Sequence, residues 1–301
     1  MNEIFLTGAT GLAGSSALQE LRSRSLRVKA FVRPTFAPLT SSEALTVVTS
    51  DLKDTLSLKK EAFGNSGIVH YACASLRGMA DIQIDIDALN ALLLTWEKGP
   101  FVYISSIDVY GLPTEKDVDE NYSLSGSLNA YSEGKIACEN LIFENAKRRG
   151  RTDFTILRAP WIFAPNLRSK QQIQERFLNH FPEAFTLPCE DRTEFDQFGD
   201  TYVDARDLAW LACEALINPL GGAGNVVGEW FSWVHFFEFI KGITNDSRLI
   251  LHLPKNELSD YDSELFGQTA TFDGSKINQH FKFKPKFNLN KTLLEIFEIR
   301  K

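Results

Sequence analysis

Thr7-Gly8-Ala9-Thr10-Gly11-Leu12-Ala13-Gly14 is the stretch whose reading decides the fold. Before it stands Ile4 to Leu6, an apolar run too short for a helix and read as a buried strand; after it, Leu12 to Leu21 carries helical spacing. Strand, glycine turn and helix form the context in which a glycine triplet acts as a dinucleotide fingerprint. Gly8 and Gly11 allow the tight turn and close approach to a pyrophosphate, and Gly14 allows the helix to pack on the sheet. The N–H groups of the first helical turn then face the phosphates. Gly8, Thr10, Gly11, Leu12 and Gly14 are therefore candidate cofactor contacts.

Strand and helix patterns alternate onward from this turn. Strands are expected at Val28–Val32, Leu45–Thr49, Gly67–Cys73, Phe101–Ile104 and Thr155–Leu157, and helices at Leu56–Phe63, Ala88–Trp96 and from about Leu128 to Arg149. Ser123, Ser125 and Ser127 offer caps for the long helix, and Gly150 stops it behind Lys147-Arg148-Arg149. Alternation of this kind implies an α/β, doubly wound parallel-sheet Rossmann fold. Residues 1–165 are read as the dinucleotide-binding domain and 166–301 mainly as a smaller C-terminal substrate lobe, with 202–228 returning to the main sheet. In that second half we expect a helix at Ala205–Leu216, a strand at Asn225-Val226-Val227, a Ser232-capped aromatic helix and a mobile polar segment at 254–268. Most of its phenylalanines are read as core.

The chain has 301 residues, 44% of them hydrophobic, and a formal net charge of −7. That charge speaks against a nucleic acid or an anionic membrane as partner. Cys73, Cys138, Cys189 and Cys213 form no CxxC pair, so neither a metal site nor a redox dithiol is expected. Free thiols fit a reducing, cytoplasmic setting. The first apolar run leads straight into the glycine turn, so no signal peptide is expected, and no apolar stretch approaches the ~20 residues of a membrane span.

Tyr131 and Lys135 lie four apart on the long helix and share a face. A phenol titrates near 10 and is a poor acid or base at neutral pH, but a nearby ammonium and a positive nicotinamide ring favour its phenolate. Ser106, on the loop after a strand, can hydrogen-bond a substrate oxygen at the sheet edge where ligands bind. Ser106, Tyr131 and Lys135 are the catalytic candidates. The strand ending in Arg33 lacks the carboxylate that would accept from a ribose 2′-OH; Arg33 instead suits a 2′-phosphate. NADP(H) is therefore the expected cofactor, with NAD(H) possible.

These motifs resemble the extended short-chain dehydrogenase/reductase family, of the NAD-dependent epimerase/dehydratase kind. Thr7 ahead of the GxxGxxG spacing is typical of it. Gly67-Ile68-Val69-His70-Tyr71-Ala72-Cys73-Ala74 resembles its "VIHLAA" stretch, Ser105-Ser106-Ile107-Asp108-Val109-Tyr110-Gly111 its "SSxxVYG", Leu157 to Pro165 its "LRPxNVYGP", Tyr202 to Asp207 its "YVDDVA", and Asp273-Gly274-Ser275-Lys276 its closing motif. The resemblance spans nearly the whole chain. It implies a Ser106–Tyr131–Lys135 hydride-transfer site, cofactor contacts from Asp51, Leu52, Tyr71, Ala72, Ser105, Pro160 and Ile162, and substrate contacts from Ser75, Ser106, Tyr110, Trp161 and Phe163. It also implies a homodimer through the two long helices, with Leu92, Ile136 and Phe143 as candidate contributors.

The chain departs from the pattern of nucleotide-sugar enzymes. Trp161 stands where the family has Asn, Phe198 where an Arg often precedes "FxYVxD", no Arg occurs in 254–276, and Ile84 and Asp85 stand where a helix Asn is expected. Arg168, Lys170, Arg192 and Arg206 are the cations that could replace these anchors. A diphosphate needs charge-assisted donors. An NAD(P)-dependent oxidoreductase acting on a small ketone or secondary alcohol is accordingly the first expectation. A nucleotide-sugar epimerase or dehydratase is the second, and a non-enzymatic NADP-sensing regulator, which the Tyr131/Lys135 pair opposes, the third.

Overall fold

The structure, a computed structural model, describes residues 3–34, 39–75, 81–125, 129–189 and 196–298. In chain order its first elements are β1 (Glu3–Thr7), α1 (Gly14–Ser23), β2 (Arg27–Val32), β3 (Leu45–Thr49), α2 (Thr55–Ala62), β4 (Gly67–His70), α3 (Ile82–Thr95), β5 (Phe101–Ser106), α4 (Ala130–Arg149) and β6 (Phe154–Ala159). Then come β7 (Trp161–Phe163), α5 (Leu167–Ile173), β8 (Ala184–Cys189), β9 (Gly199–Asp204), α6 (Ala205–Ile217), β10 (Gly222–Asn225), β11 (Glu229–Ser232), α7 (Trp233–Thr244), β12 (Leu249–Pro254), α8 (Asp260–Phe266), α9 (Ser275–Phe281) and α10 (Leu289–Glu298).

Seven strands form one parallel sheet in the order β10-β6-β5-β4-β1-β2-β3. The chain moves outward from β1 to β3 and then returns to β4 on the other side of β1. The reversal opens a crevice beyond the carboxyl ends of β1 and β4, where open α/β sheets bind ligands. One apolar layer, with Ala17, Leu21, Leu208 and Leu211, covers one face of the sheet beneath α1 and α6. The other, with Leu58, Leu89, Leu92, Trp96 and Ile142, covers the opposite face beneath α2, α3 and α4. Central strands buried on both sides read as continuous apolar runs, which is why Phe101-Val102-Tyr103-Ile104 was legible.

The second half builds a separate aromatic core. Phe163, Phe177, Phe181, Phe185, Phe198, Tyr202, Trp233, Phe236, Phe237 and Phe266 pack together in it. A three-stranded sheet, β11-β9-β7, and the pair β12-β8 supply Phe163, Phe185 and Tyr202, and α7 and α8 supply Trp233, Phe236, Phe237 and Phe266. Of the segment expected to rejoin the main sheet, β10 does so, pairing parallel with β6, and α6 packs beside α1 with Arg24 bridging to Glu214 at 2.7 Å. Tyr202 to Asp204 instead belong to β9 of the smaller sheet.

Several boundaries differ from the sequence reading. The expected strand Gly67–Cys73 ends at His70, and the chain then leaves the sheet to border the crevice. The helix expected from Ala88 begins at Ile82. The strand expected at Asn225-Val226-Val227 lies at Gly222–Asn225; its place is set by the free edge of β6, not by the propensity of its residues. The segment 254–268, expected to carry no regular element, holds a helix: Ser259 caps α8 by accepting from Asp262 N, and Phe266 seats that helix in the aromatic core. One buried ring on a seven-residue helix leaves too little periodicity to read. Asn129, not a serine, caps α4: its Oδ1 accepts from Ser132 N (3.0 Å), and Ser132 Oγ accepts from Asn129 N (3.2 Å). Ser125 donates to the Tyr110 carbonyl, while Ser127 and Leu128 lie outside the described residues. Leu92 is fully buried against the sheet, so it has no part in an outer face; Phe143 is 38% exposed.

Candidate active site

One large cleft, of about 1250 Å³, runs along the carboxyl ends of the strands into the aromatic lobe. A single small-molecule pocket is about 300–1,000 Å³, so there is room for a dinucleotide and a second ligand. Its floor at one end is the glycine turn. Gly8 has φ +75°, and a Cβ there would sit 2.8 Å from Ala72 N; a Cβ on Gly14 would overlap the Gly8 carbonyl. Both positions are thus closed to larger residues, and the turn presses against the chain just after β4. Thr7 holds the two strand ends together: its hydroxyl accepts from Ala72 N (3.3 Å) and shares a 2.6 Å hydrogen bond with His70 Nδ1. Burial, and next the Lys135 charge, lower the His70 pKa to about 4, so His70 is a neutral packed residue at pH 7.

The cleft is lined by Gly8, Thr10, Gly11, Leu12, Gly14, Arg33, Asp51, Leu52, Tyr71, Ala72, Ser105, Pro160 and Ile162, all the residues the sequence put forward for the cofactor, along with Tyr131 and Lys135. The cradle fits a dinucleotide: a turn closed to side chains, the start of α1 behind it, and residues from the ends of β2 and β6 and from the chain just after β4 around it.

Midway along, α4 and the end of β5 bring Ser106, Tyr131 and Lys135 together. Lys135 is 4% exposed; its Nζ donates to the Ile104 carbonyl (2.7 Å) and lies 5.5 Å from the centre of the Tyr131 ring. Burial works against its charge, but Cys73, Tyr131, Cys138 and Asp85 outweigh burial and hold its pKa above the ordinary value. Burial pushes the Tyr131 phenol up to about 12, with Lys135 and a hydrogen bond from Ser106 pulling it partly back. The sequence argument counted on the ammonium together with a positive nicotinamide ring; in the protein alone, desolvation outweighs the ammonium. Ser106 Oγ accepts from Asp108 N (3.2 Å).

The far end is formed by β9, the turn of π-helix at Gln174–Leu178 and α8. Trp161 faces it and donates from Nε1 to Asp200 Oδ2 (2.7 Å). Burial raises the Asp200 pKa to about 7 and also raises that of Asp108. Arg176, whose guanidinium stands 5.6 Å from the Trp161 ring centre, brings a cation here. Among the described lining residues at this end, Asp108, Glu175, Asp200 and Glu264 stand against it.

Two expected substrate contacts are elsewhere. Tyr110 is 1% exposed, and its hydroxyl donates to Asn225 Oδ1 and accepts from Arg158 Nη1, each at 2.7 Å. Phe163 is fully buried, stacked on Tyr202 and Phe236. Ser75 borders the cleft but is 2% exposed, its N–H donating to Asp85 Oδ2 (2.9 Å). Of the cations that could replace the missing anchors, Arg168 lines the cleft, Lys170 stands over the Phe297 ring, Arg206 pairs with Asp204 and Glu295, and Arg192 lies outside the described residues.

Sequence reading missed a buried network behind the site. Glu139, fully buried, binds Arg158, which is 3% exposed (Nη2 to Oε2, 2.7 Å), and accepts from Ser105 Oγ (2.5 Å). The available signal was the i, i+4, i+8 row Tyr131-Lys135-Glu139 along one helix face. Asp85 was also missed: it accepts from Ala74 N (2.6 Å) and Ser75 N and so fixes the chain after β4. Arg176 gave no signal, because the π-helical turn that aims it shifts the register of α5.

A Rossmann sheet with a glycine cradle at its switch point and a Ser–Tyr–Lys group beside it defines a nicotinamide-dinucleotide enzyme of the extended short-chain dehydrogenase/reductase type. The comparisons agree: residues 4–218 match the NAD dependent epimerase/dehydratase family, and the chain belongs to that family. An uncharacterized Escherichia coli (strain K12) protein, YbjS, is 24% identical over 228 residues, 72% of this chain and 67% of its own. UDP-glucose 4-epimerase from Thermotoga maritima, solved with UDP-glucose, superposes with a TM-score of 0.79 at 17% identity, covering 98% of this chain and 97% of that one. The Bordetella bronchiseptica enzyme WbmH, solved with NAD+, gives 0.78 at 18% identity, covering 99% and 97%. At these identities the structures share the fold.

Proposed function

We propose that the protein transfers a hydride between NADP(H) and a small ketone or secondary alcohol. The observation that carries this is the convergence of Ser106, Tyr131 and Lys135 in the cleft that the glycine turn opens into. The cofactor, when bound, supplies or accepts the hydride; the chain handles the proton. In the reducing direction Tyr131, held protonated by its high pKa, donates to the carbonyl oxygen as charge develops there. Lys135 stabilises the phenolate left behind, and its bond to the Ile104 carbonyl fixes its position. Ser106, anchored by Asp108 N, directs its hydroxyl hydrogen at the same oxygen. In the oxidising direction the same groups run in reverse. The NADP(H) preference rests on Arg33 at the end of β2 in place of a carboxylate.

The far end supports a substrate without a diphosphate: it offers the Arg176 guanidinium with Glu175 and Glu264 beside it, and Asp108 and Asp200 held towards their neutral forms by burial, which is not the set of charge-assisted donors a diphosphate needs. Arg176 and the family favour a second reading, in which a nucleotide-sugar is oxidised and reduced again with the hydride returned. Net turnover of NADPH or NADP+ with simple carbonyls and alcohols supports the first reading, and tight calorimetric binding of a UDP-, GDP- or dTDP-sugar overturns it in favour of the second. Tyr131→Phe should lower turnover by about 10²–10⁴ while nucleotide binding survives; near-normal turnover removes Tyr131 from the proton transfer.

A further inference from the structure

Trp161 stands at the margin of the aromatic core: it packs against that core and also lines the cleft. Side chains alternate along β7, so Trp161 and Phe163 share a face and Ile162 turns the other way. The indole stacks on the buried Phe163 ring, with centres 6.3 Å apart and 22° between planes, and Phe177 and Trp233 stand 5.4 and 6.3 Å from it. Its N–H is engaged by Asp200 Oδ2 (2.7 Å), and Asp200 Oδ1 in turn accepts from Thr201 N (2.6 Å). Ring contacts and a hydrogen bond therefore fix the indole before any ligand arrives, and what it offers the cleft is apolar ring surface, not its donor. Register brings this surface near the chemistry. Ser106 pairs with Ala159 across β5 and β6, and Trp161 follows two residues later. Two residues span at most about 7 Å and neighbouring strands lie about 5 Å apart, so the Cα atoms of Ser106 and Trp161 are within about 12 Å. The same cleft holds the exposed side chains of Leu112 and Tyr261 and the half-buried Leu265 and Phe272. Large apolar side chains left in reach of water around one cavity mark a binding surface. Arg176 is exposed on its π-helical turn, 5.6 Å from the indole centre, so an entering group displaces a solvated side chain and not a packed one.

We infer that Trp161 is a fixed platform for a planar, uncharged group joined to the reacting carbonyl, so that the substrate class is aryl or conjugated ketones and the matching secondary alcohols. This rests on the oxidoreductase reading above and narrows it. The ketone takes up the hydride at its carbonyl carbon and the Tyr131 proton at its oxygen, leaving the secondary alcohol and the oxidised cofactor. With the carbonyl oxygen at Ser106 and Tyr131, a ring attached to the carbonyl carbon lies within the same short span as Trp161. A ring already held in place loses no rotamer freedom on binding, so its stacking energy is retained. An asparagine at this position would present an amide to polar groups. The indole, with its N–H engaged by Asp200, favours a flat π-surface instead.

The test compares acetophenone with cyclohexyl methyl ketone, which share a carbon skeleton and differ in flatness. Calorimetry measures the binding of each to the full chain loaded with NADP+, and oxidation of NADPH measures turnover. Burial of area alone gives the flat ring no advantage over the saturated one, so an aryl preference reports stacking. The parent protein should bind acetophenone about threefold to tenfold more tightly, the worth of one aromatic pair. Trp161→Leu should erase that preference, and Trp161→Phe, which keeps a ring, should retain most of it; intact NADPH binding in both variants shows that the cleft is still built. A parent with no aryl preference overturns this inference without recourse to any variant, and so does a preference that Trp161→Leu leaves unchanged; in either case, NADPH oxidation with these ketones keeps the oxidoreductase reading. NADPH oxidation with neither ketone, alongside an aryl preference that depends on Trp161, overturns the oxidoreductase reading and leaves the platform standing. Uridine 5′-monophosphate bound tightly by the parent and not by Trp161→Leu, without an aryl preference, gives the platform to a nucleobase and overturns the inference.

Discussion

Glu139→Leu should be among the most damaging single substitutions in this chain, although Glu139 stands behind the cleft and not in its lining. The carboxylate is fully buried and Arg158 is 3% exposed. Three guanidinium contacts join them, at 2.7, 3.1 and 3.2 Å, and Ser105 donates a fourth hydrogen bond to the same carboxylate. Leucine fills much the same space but leaves a guanidinium out of water, with Tyr110 as its remaining partner here. Breaking a buried pair from one side costs about 3–5 kcal/mol. With a urea slope of about 3 kcal/mol/M, the unfolding midpoint should fall by about 1 M or more. The paired change Glu139→Leu/Arg158→Met removes both charges and should recover most of the loss, because the isolated charge, and not the lost attraction, is the damage. Urea unfolding of the parent, both single variants and the pair measures this directly. A Glu139→Leu loss below about 1 kcal/mol, or a pair as unstable as the sum of its singles, would refute the reasoning.

Two further outcomes follow from the site. Asp200 titrates near 7 in the folded chain against 3.8 for the free group, so between about pH 4 and 7 the folded state holds a proton that the unfolded state releases. Its contribution is therefore full below pH 4, is lost as pH rises towards 7, and amounts to at most about 4 kcal/mol; Asp200→Asn should abolish this slope, which urea titrations at pH 5 and pH 8 will reveal, and an unchanged difference between the two pH values contradicts it. Gly14→Ala places a methyl against the Gly8 carbonyl, so the turn must open. NADPH affinity measured by fluorescence should drop by about tenfold or more, or ~1.4 kcal/mol; unchanged affinity would detach the glycine turn from cofactor binding.

What the sequence determined by itself were the features carried by local spacing. Gly8, Gly11 and Gly14 between a strand and a helix have one low-energy arrangement, and Tyr131 and Lys135 share a helix face whatever surrounds them. Buried parallel strands show as unbroken apolar runs, so the sheet and its winding were readable too. Tertiary structure alone decided which of these side chains meet, and in what dielectric. Tyr110 and Phe163 sit in motifs next to site residues, yet packing turned both away from the cleft. The pKa of Tyr131 depends on burial against Lys135, a balance set by distances that no spacing encodes. Glu139 finds Arg158 across 19 residues of chain, and Asn166 ties the start of α5 to the glycine turn through the Leu12 carbonyl. Such contacts join segments remote in sequence, and their geometry exists only once the sheet and the aromatic lobe have packed.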